Sequence, residues 1–558
     1  MHLNGQQSAV QRCLRISEIS GEICEILCVS GHGLAALARL AQTCKFLHET
    51  AVPVLWRQMR GLKPLLKLFP EGTWTEEHTG FRFTNPAALD WTRFQHYAHS
   101  VRCLVWRQDH TDIPIETLAA LSLHRPRSEP LLPQLCSLMW HDSREDYAAF
   151  IHMFLTPSIR EMRINTVLLD PAATAALFEH ARHACNNVEV LELHAGISRT
   201  LRPLHPVADD ALAKYLRSLT SLQEYHGVII LSAKCVEALG TRPNLRLVQE
   251  LYALPEELEA ATAAATSLLA TGEWFKSVEL LVLRLSRFSA SSQAFLATIQ
   301  SPTVSEVFIS VVHGPADTST LQEHMQVFTS APFRHSLRTV RVEFGYDLIW
   351  YDDPAYLSVM HARTVLRPLL DLQQLDTLIF RTPRWDLDPA TLRDISDAWP
   401  MLKTFSVAGG FRICEHEESK TNGQCVTLLD LVPLARKCPD LLSLELHLCA
   451  LEVPTIDDAE VQHLLGPGPS RCGLDALRVF HGPIRLEDAD AVAKFLKRLF
   501  PKLQRVDYGS CVEEDEEDED DDVLDLPLRT GYHESAGWEE VQRLLQDYQM
   551  PAQATGQT

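Results

Sequence analysis

One short apolar phrase recurs along the chain: an apolar residue, a second three positions later, and a third two positions after that. It reads Val188-Glu189-Val190-Leu191-Glu192-Leu193, Val278-Glu279-Leu280-Leu281-Val282-Leu283, Leu337-Arg338-Thr339-Val340-Arg341-Val342 and Leu375-Asp376-Thr377-Leu378-Ile379-Phe380. It returns as Leu441-Leu442-Ser443-Leu444-Glu445-Leu446, Leu474-Asp475-Ala476-Leu477-Arg478-Val479 and Leu503-Gln504-Arg505-Val506-Asp507-Tyr508, with weaker copies from Val101, Leu135, Ile159, Leu222, Leu245, Val304 and Leu402. Successive starts lie 23 to 39 residues apart. The last two apolar residues of each phrase have period two, so they point to one side of a short strand and the residue between them to the other. Stacked copies predict a parallel sheet with Leu191, Leu281, Val340, Leu378 and Leu444 buried on its inner side.

Between the phrases the period changes to that of a helix, as in Asp210 to Leu216 and in Ala489 to Phe500, where Ala491, Val492, Phe495, Leu496 and Leu499 share a face. Several joints use one device: a helix ends, a proline follows, and the next phrase begins two residues on. Cys438-Pro439-Asp440-Leu441, Trp399-Pro400-Met401-Leu402, Phe500-Pro501-Lys502-Leu503 and Arg242-Pro243-Asn244-Leu245 all read this way. Proline disfavours helix in the residue before it and sets an extended exit. The phrase resembles the L-x-x-L-x-L core of a leucine-rich repeat. The expected fold class is α/β, an irregular solenoid over 98–510 with parallel strands on the concave side and helices on the convex side.

A different pattern precedes the repeats. Ile19, Ile23, Ile26 and Leu27 form one helix face that Ser20 is placed to cap; Gly31-His32-Gly33 breaks it. Leu37, Leu40, Ala41 and Cys44 make a second face, and Val52, Leu55, Trp56 and Met59 a third. Three short helices over 14–69 form a thin core that presents surplus apolar surface to a partner. Ile19-Ser20-Gly21-Glu22-Ile23-Cys24-Glu25-Ile26-Leu27, then Leu37 to Phe46 with Thr43-Cys44-Lys45, then Pro53-Val54-Leu55-Trp56 resemble the F-box, whose usual Leu-Pro opening is replaced here by Ile19-Ser20. Followed by leucine-rich repeats, the segment is similar to the fungal-type F-box/leucine-rich-repeat proteins. The resemblance implies docking on a Skp-type adaptor, which bridges to a cullin scaffold for ubiquitin transfer, with the repeats holding a protein substrate. Carried over by position, the adaptor-binding set is Ile19, Ile23, Ile26, Leu27, Leu40, Cys44, Phe46, Leu55 and Trp56.

Composition narrows the alternatives. The formal charge of −22 includes an unbroken ten-residue acidic run, Glu513 to Asp522, read as a solvated loop within 511–530. An acidic chain lacks the basic stripe of a nucleic-acid binder. The fourteen cysteines form no C-x-x-C pair and fall mainly in apolar segments such as those of Cys24, Cys103, Cys136, Cys235 and Cys449. With no stretch apolar enough to span a bilayer, this fits a reducing compartment, cytoplasm or nucleus. Residues 70–97 read as a linker, and 531–558 as a C-terminal helix and tail in which Trp538 to Leu545 shields the end of the array.

No catalytic chemistry emerges. Gly31-His32-Gly33-Leu34-Ala35-Ala36 imitates a dinucleotide loop, but no second strand follows at the required distance. His416, Cys414 and Cys425 lack a fourth ligand for zinc. No H-E-x-x-H, G-x-S-x-G or phosphate-binding loop occurs. The expectation is no enzymatic activity, no cofactor and no metal. Outward strand residues, among them Arg107, Glu192, His194, Arg284, Arg341, Glu343, Arg381, Glu445, His447 and Arg478, carry both signs of charge, which suits a protein partner. Trp350 and Tyr351, in an aromatic insertion after a strand, join them as candidate substrate contacts. Two functions stay open: a substrate receptor of a ubiquitin ligase, or a repeat scaffold without ligase association.

Overall fold

The computed structural model describes residues 13–29, 33–77, 80–108, 113–126, 130–142, 144–165, 170–194, 203–270, 272–312, 317–344, 359–381, 385–408, 426–455, 459–465, 470–480, 482–508 and 532–548. The chain divides into two compact units, Met1–Tyr252 and Ala253–Thr558. In the first, β1 (Gln58–Arg60), β2 (Cys103–Arg107), β3 (Ser137–His141), β4 (Glu161–Ile164), β5 (Val190–His194), β6 (Glu224–Val228) and β7 (Leu247–Ala253) lie side by side in chain order, each pair parallel. In the second, β8 (Leu280–Leu285), β9 (Glu306–Val311), β10 (Thr339–Phe344), β11 (Thr377–Arg381), β12 (Thr404–Ala408), β13 (Ser443–Leu446), β14 (Ala476–Val479) and β15 (Arg505–Tyr508) do the same. Sequential parallel strands joined by helices are the arrangement of a leucine-rich-repeat solenoid.

Register explains why the phrase recurs. Its fourth residue meets its counterpart on the next strand throughout the second unit: Leu281, Val307, Val340, Leu378, Phe405, Leu444, Leu477 and Val506 form one continuous row. Leu191, Leu281, Val340, Leu378 and Leu444 are all fully buried, as expected from their side of the strand. The phrase's first residue is buried too, from Val101 and Leu135 to Leu474 and Leu503. Burying each such side chain contributes about 1.5–3 kcal/mol, so the rows dominate the favourable side of the balance. Each strand entry is also stitched to the repeat before it. The Arg160 carbonyl accepts from the amides of Glu189 (2.7 Å) and Val190 (3.0 Å), and the Arg338 carbonyl from those of Asp376 (2.9 Å) and Thr377 (3.0 Å).

The proline joints behave as their chemistry requires. Trp399, Cys438 and Phe500 end their helices at φ −125°, −113° and −127°, with ψ between 71° and 82°. Each precedes a proline, whose ring excludes the helical ψ. The chain then turns, with the Leu402 amide donating to the Trp399 carbonyl at 3.1 Å and Leu503 to Phe500 at 3.0 Å. The intervening helices pack on one another in sequence, Pro171–Ala184 on Pro206–Ser218 and that on Ala233–Gly240. In Ala489–Leu499 the inward residues are Ala489, Val492, Ala493, Phe495, Leu496 and Leu499; Ala491 faces solvent, because the buried stripe runs through Ala489 and Ala493 instead. In β7 the alternation fails at Glu250, held at φ 56°, after which Leu251, Tyr252 and Ala253 are all buried.

The N-terminal module comprises α1 (Ser17–Val29), α2 (Gly33–Ala41) and α3 (Lys45–Leu55). Its interior is made of small side chains, Cys24, Ala41 and Ala51 with Leu37, Val52 and Val54. Two sequence expectations are corrected here. Ser20 does not cap α1: it lies inside the helix, buried, its hydroxyl donating to the Ile16 and Ser17 carbonyls at 3.2 Å. Met59 is not on the third helix: it sits in β1, where it heads the buried row that continues through Leu104, Leu138 and Met162. Residues 70–97, read as a linker, contain a hairpin (Trp74–Glu77 with Gly80–Phe83) and the helix Trp91–Ala98. Phe69 packs against Phe83, Trp91 and Phe94 with ring centroids 5.0–5.6 Å apart.

Candidate functional site

Among its described residues the module leaves a conspicuous apolar surface. Along α1 and its lead-in, Ile16, Ile19, Ile23, Ile26 and Val29 recur at three- and four-residue spacing and are all exposed, Ile26 by 65% and Val29 by 90%. The helix turns Ser20 and Cys24 inward instead, so the face that sequence periodicity identifies is the outer one. Glycine makes the close inner packing possible: a Cβ on Gly33 would lie 1.8 Å from the Leu27 carbonyl oxygen. Soluble monomers rarely leave so continuous an apolar stripe to water unless it serves an interaction.

The nine residues that the F-box resemblance assigns to adaptor binding therefore divide. Ile19, Ile23 and Ile26 are open to a partner, and so is Cys44, which forms the extended N-cap of α3 rather than part of a helix face. Phe46 is half-buried. Leu27, Leu40, Leu55 and Trp56 pack against the module's own interior. Trp56 also packs at a tilt against Tyr97, in the helix Trp91–Ala98, with ring centroids 4.9 Å apart, and an Arg57–Glu25 ion pair of 2.5 Å ties the strand entry to α1. Trp56 thus joins the module to the helix that precedes the first repeat phrase.

The outward face of the sheet is the second candidate surface. In the first unit, Arg107 is exposed at the end of β2. Glu192 accepts from His194 Nε2 at 2.6 Å and pairs with Arg163 at 3.2 Å, while Arg163 also holds Glu161. His226 bonds Gln249 at 2.5 Å. His141, on the same face, is held below the ordinary imidazole range by burial and by the neighbouring Arg107. In the second unit Arg341, Glu343, Arg381 and Glu445 belong to one ladder of ion pairs, and His447 is engaged with the Phe480 carbonyl at 2.8 Å. Trp350 and Tyr351, the Cys414–His416–Cys425 loop and the run Glu513 to Asp522 lie outside the described residues.

The pairing of Asp142 escaped sequence reasoning, and so did the hydrogen bonds by which the C-terminal helix, expected to shield the end of the array, meets its last strand. Asp142 is fully buried; burial pushes its carboxyl up, but Arg144 and the Trp106 indole (3.0 Å) hold it below the usual range on balance. Trp106 in turn stacks flat on Trp140 at 4.8 Å. At the far end of the second unit, α4 (Tyr532–Asp547) closes the open edge. The Gln542 side chain accepts from the Val506 amide at 2.5 Å and donates to the Gln504 carbonyl at 3.3 Å, replacing the neighbour β15 lacks. Trp538, buried, donates to the Gly482 carbonyl at 2.7 Å. Among the described residues no helix is long and apolar enough to cross a membrane.

No family model and no curated protein matches the sequence. Among solved structures, the chain is similar to a leucine-rich-repeat protein of Leptospira interrogans, at 14% identity and a TM-score of 0.37 over 75% of this chain and 87% of that one. It is also similar to a chain of the yeast Rad7–Elc1 complex, at 13% identity and a TM-score of 0.34 over 70% and 87%. The fold assignment rests on the parallel register and the buried phrases.

Proposed function

We propose that this chain is a substrate receptor: α1 docks on a Skp-type adaptor of a cullin ubiquitin ligase, and the repeats hold a target protein. The observation that supports it is the exposed isoleucine stripe of α1 on a helical module whose sequence resembles the F-box. A small module gains little from its own interior, so leaving Ile19, Ile23 and Ile26 in water makes sense when a partner covers them. The receptor recruits and orients; the reading assigns the chain no catalytic step, and the transfer chemistry belongs to its partners. The test is a titration of the full chain with purified adaptor, wild type against Ile26→Lys. Saturable binding of the wild type, lost in the variant, supports the reading. No binding of a folded wild-type chain at about 10 μM, an affinity of roughly 7 kcal/mol, overturns it.

A second reading, a repeat scaffold without ligase association, has its own support. Leu27, Leu40, Leu55 and Trp56 are spent on the module's interior and on Tyr97, which leaves fewer residues for an adaptor than the motif implies. Under that reading the adaptor titration is silent while target binding by the repeats persists.

A further inference from the structure

The outward face of the second unit carries its charge in two tiers. Glu343 accepts from Arg341 Nε at 2.8 Å and pairs with Arg381 at 3.2 Å. Glu445 accepts from Ser406 at 2.7 Å and lies 3.9 Å from Arg381 and 3.5 Å from Arg478. Exposure separates the signs: the carboxylate side chains of Glu343 and Glu445 are 20% and 14% exposed, those of Arg341, Arg381 and Arg478 38%, 33% and 41%. The acids lie low against the sheet and the guanidiniums stand above them, oriented by the charges beneath. Arg381 meets Glu445, and Arg478 meets Asp507, only at 3.9 Å, beyond hydrogen-bond reach. With five donors to each guanidinium, these arginines present donors outward. The guanidiniums are thus more open to solvent than Glu343 and Glu445, and only at the end of the ladder does a carboxylate, Asp507 at 37%, match their exposure.

The same face carries an apolar strip in register with the ladder. Val282, Phe308, Arg341 and Ile379 occupy matching positions on adjacent strands, with the Arg341 guanidinium 4.7 Å from the Phe308 ring centroid. Phe308 and Ile379 are half-buried, each showing one side to solvent. We propose that this face docks an acidic segment of a partner protein, its carboxylates over Arg381 and Arg478 and an apolar side chain against Phe308 and Ile379. Charge complementarity selects this occupant: guanidiniums bind carboxylates through paired, charge-assisted hydrogen bonds, and standing outermost they repel a basic segment. The proposal rests on the half of the functional reading in which the repeats hold a target, and not on adaptor docking.

The test is fluorescence anisotropy of the full chain with a labelled glutamate-rich peptide carrying a central pair of leucines. A lysine-rich peptide with the same leucines and a single-stranded RNA serve as controls. Binding of the acidic peptide is expected, weakening as salt is added and falling at least about tenfold in Arg381→Gln/Arg478→Gln. Glu445→Gln moves the other way: it keeps an acceptor for Ser406 while releasing both guanidiniums, so the peptide binds more tightly. This second variant decides the matter should the double variant fail to fold. Absence of binding, equal affinity for the lysine-rich peptide, preference for RNA, or indifference to the Glu445 change overturns the proposal. Adaptor titration of the same variants is expected to be unchanged, so a failure here is distinguishable from a failure of the docking helix.

Discussion

The helical module and the repeats draw on similar apolar residues and place them oppositely. In the repeats large aliphatic side chains face inward in continuous rows, while the residues between them, mostly polar or charged with Val282, Phe308 and Ile379 as apolar exceptions, face out. In the module the interior holds Cys24, Ala41 and Ala51, and the isoleucines of α1 face water. Small interior residues let the helices approach closely, as the Gly33–Leu27 contact requires, but they bury little area. The module is therefore held partly by its neighbours, through Trp56 on Tyr97 and through β1, which pairs with β2. The contrast separates two uses of hydrophobicity, one that supplies stability and one that supplies an interface.

Removing a row member tests the first use and has the largest effect. Leu378→Ala, in the middle of the second unit's row, is expected to destabilise by about 2–5 kcal/mol, read from the midpoint of chemical denaturation. In the module the corresponding weak point is steric. Gly33→Ala forces a methyl against the Leu27 carbonyl and is expected to cost about 1–3 kcal/mol. Hydrogen exchange over residues 17–41 should rise while the repeat amides keep their protection. Equal loosening of both regions would contradict the division drawn here.

The repeats were legible because their signal is redundant. Each phrase states the same period, and neighbouring strands must match in register, so Leu191 or Leu444 has only one side to take. The proline joints were legible for a local reason, the steric exclusion at Trp399, Cys438 and Phe500. The module was legible as three helices but not in its orientation. Periodicity identifies the Ile19-Ile23-Ile26 face without saying which face is inner, and the inner residues, Ser20 and Cys24, carry weak hydrophobic signals. The hairpin within 70–97 had a signal, alternating Phe81-Arg82-Phe83 after Gly80, set at φ 109°, but it is short enough to pass for a linker. The pairings of Asp142 with Arg144 and Trp106, of Gln542 with the β15 edge, and of the arginine ladder depend on which residues become spatial neighbours; spacing along the chain does not encode them directly.

Acid should sharpen the contrast at smaller amplitude. His324 in the helix Thr318–Ser330 is packed on Phe288 at 4.5 Å, bonded to Ser292 at 2.8 Å and to the Thr320 carbonyl at 2.7 Å. Burial pushes its imidazole below the ordinary value, so the fold favours the neutral form. That contribution is complete above the ordinary imidazole range and is lost as the pH falls through it toward the depressed folded value. At the same helix Asp317, held down to about 2 by Ser319 and the Thr320 amide and hydroxyl, begins to lose its capping contribution only at far lower pH. The denaturation midpoint of the wild type should therefore drop between pH 7.5 and pH 5.5, roughly one unit either side of the free imidazole value, and the drop should shrink in His324→Gln. Among the described residues of the module the only histidine, His48, is exposed, so adaptor docking should not follow the same curve. A docking affinity that falls in parallel with stability would mean that the interface is not confined to α1.

The smallest expected change in stability belongs to the residue with the largest expected effect on docking. Ile26 lies in the last turn of α1 and is 65% exposed, so replacing it removes no interior contact of the module. Lysine has good helix propensity, and its charge suits a helix C-terminus, where the carbonyl ends of the peptide dipoles gather. Ile26→Lys should therefore leave the denaturation midpoint within about 0.5 kcal/mol of wild type, as for other exposed positions. On a docked partner the same change buries an ammonium where an isoleucine was covered, a penalty of several kcal/mol unless the lysine finds a counter-charge. The pair of measurements carries the contrast between the regions in one substitution: a side chain that matters to stability in the repeats and only to association in the module. If Ile26→Lys unfolds α1, the stripe is structural after all; if it leaves both stability and adaptor affinity untouched, the partner engages some other face.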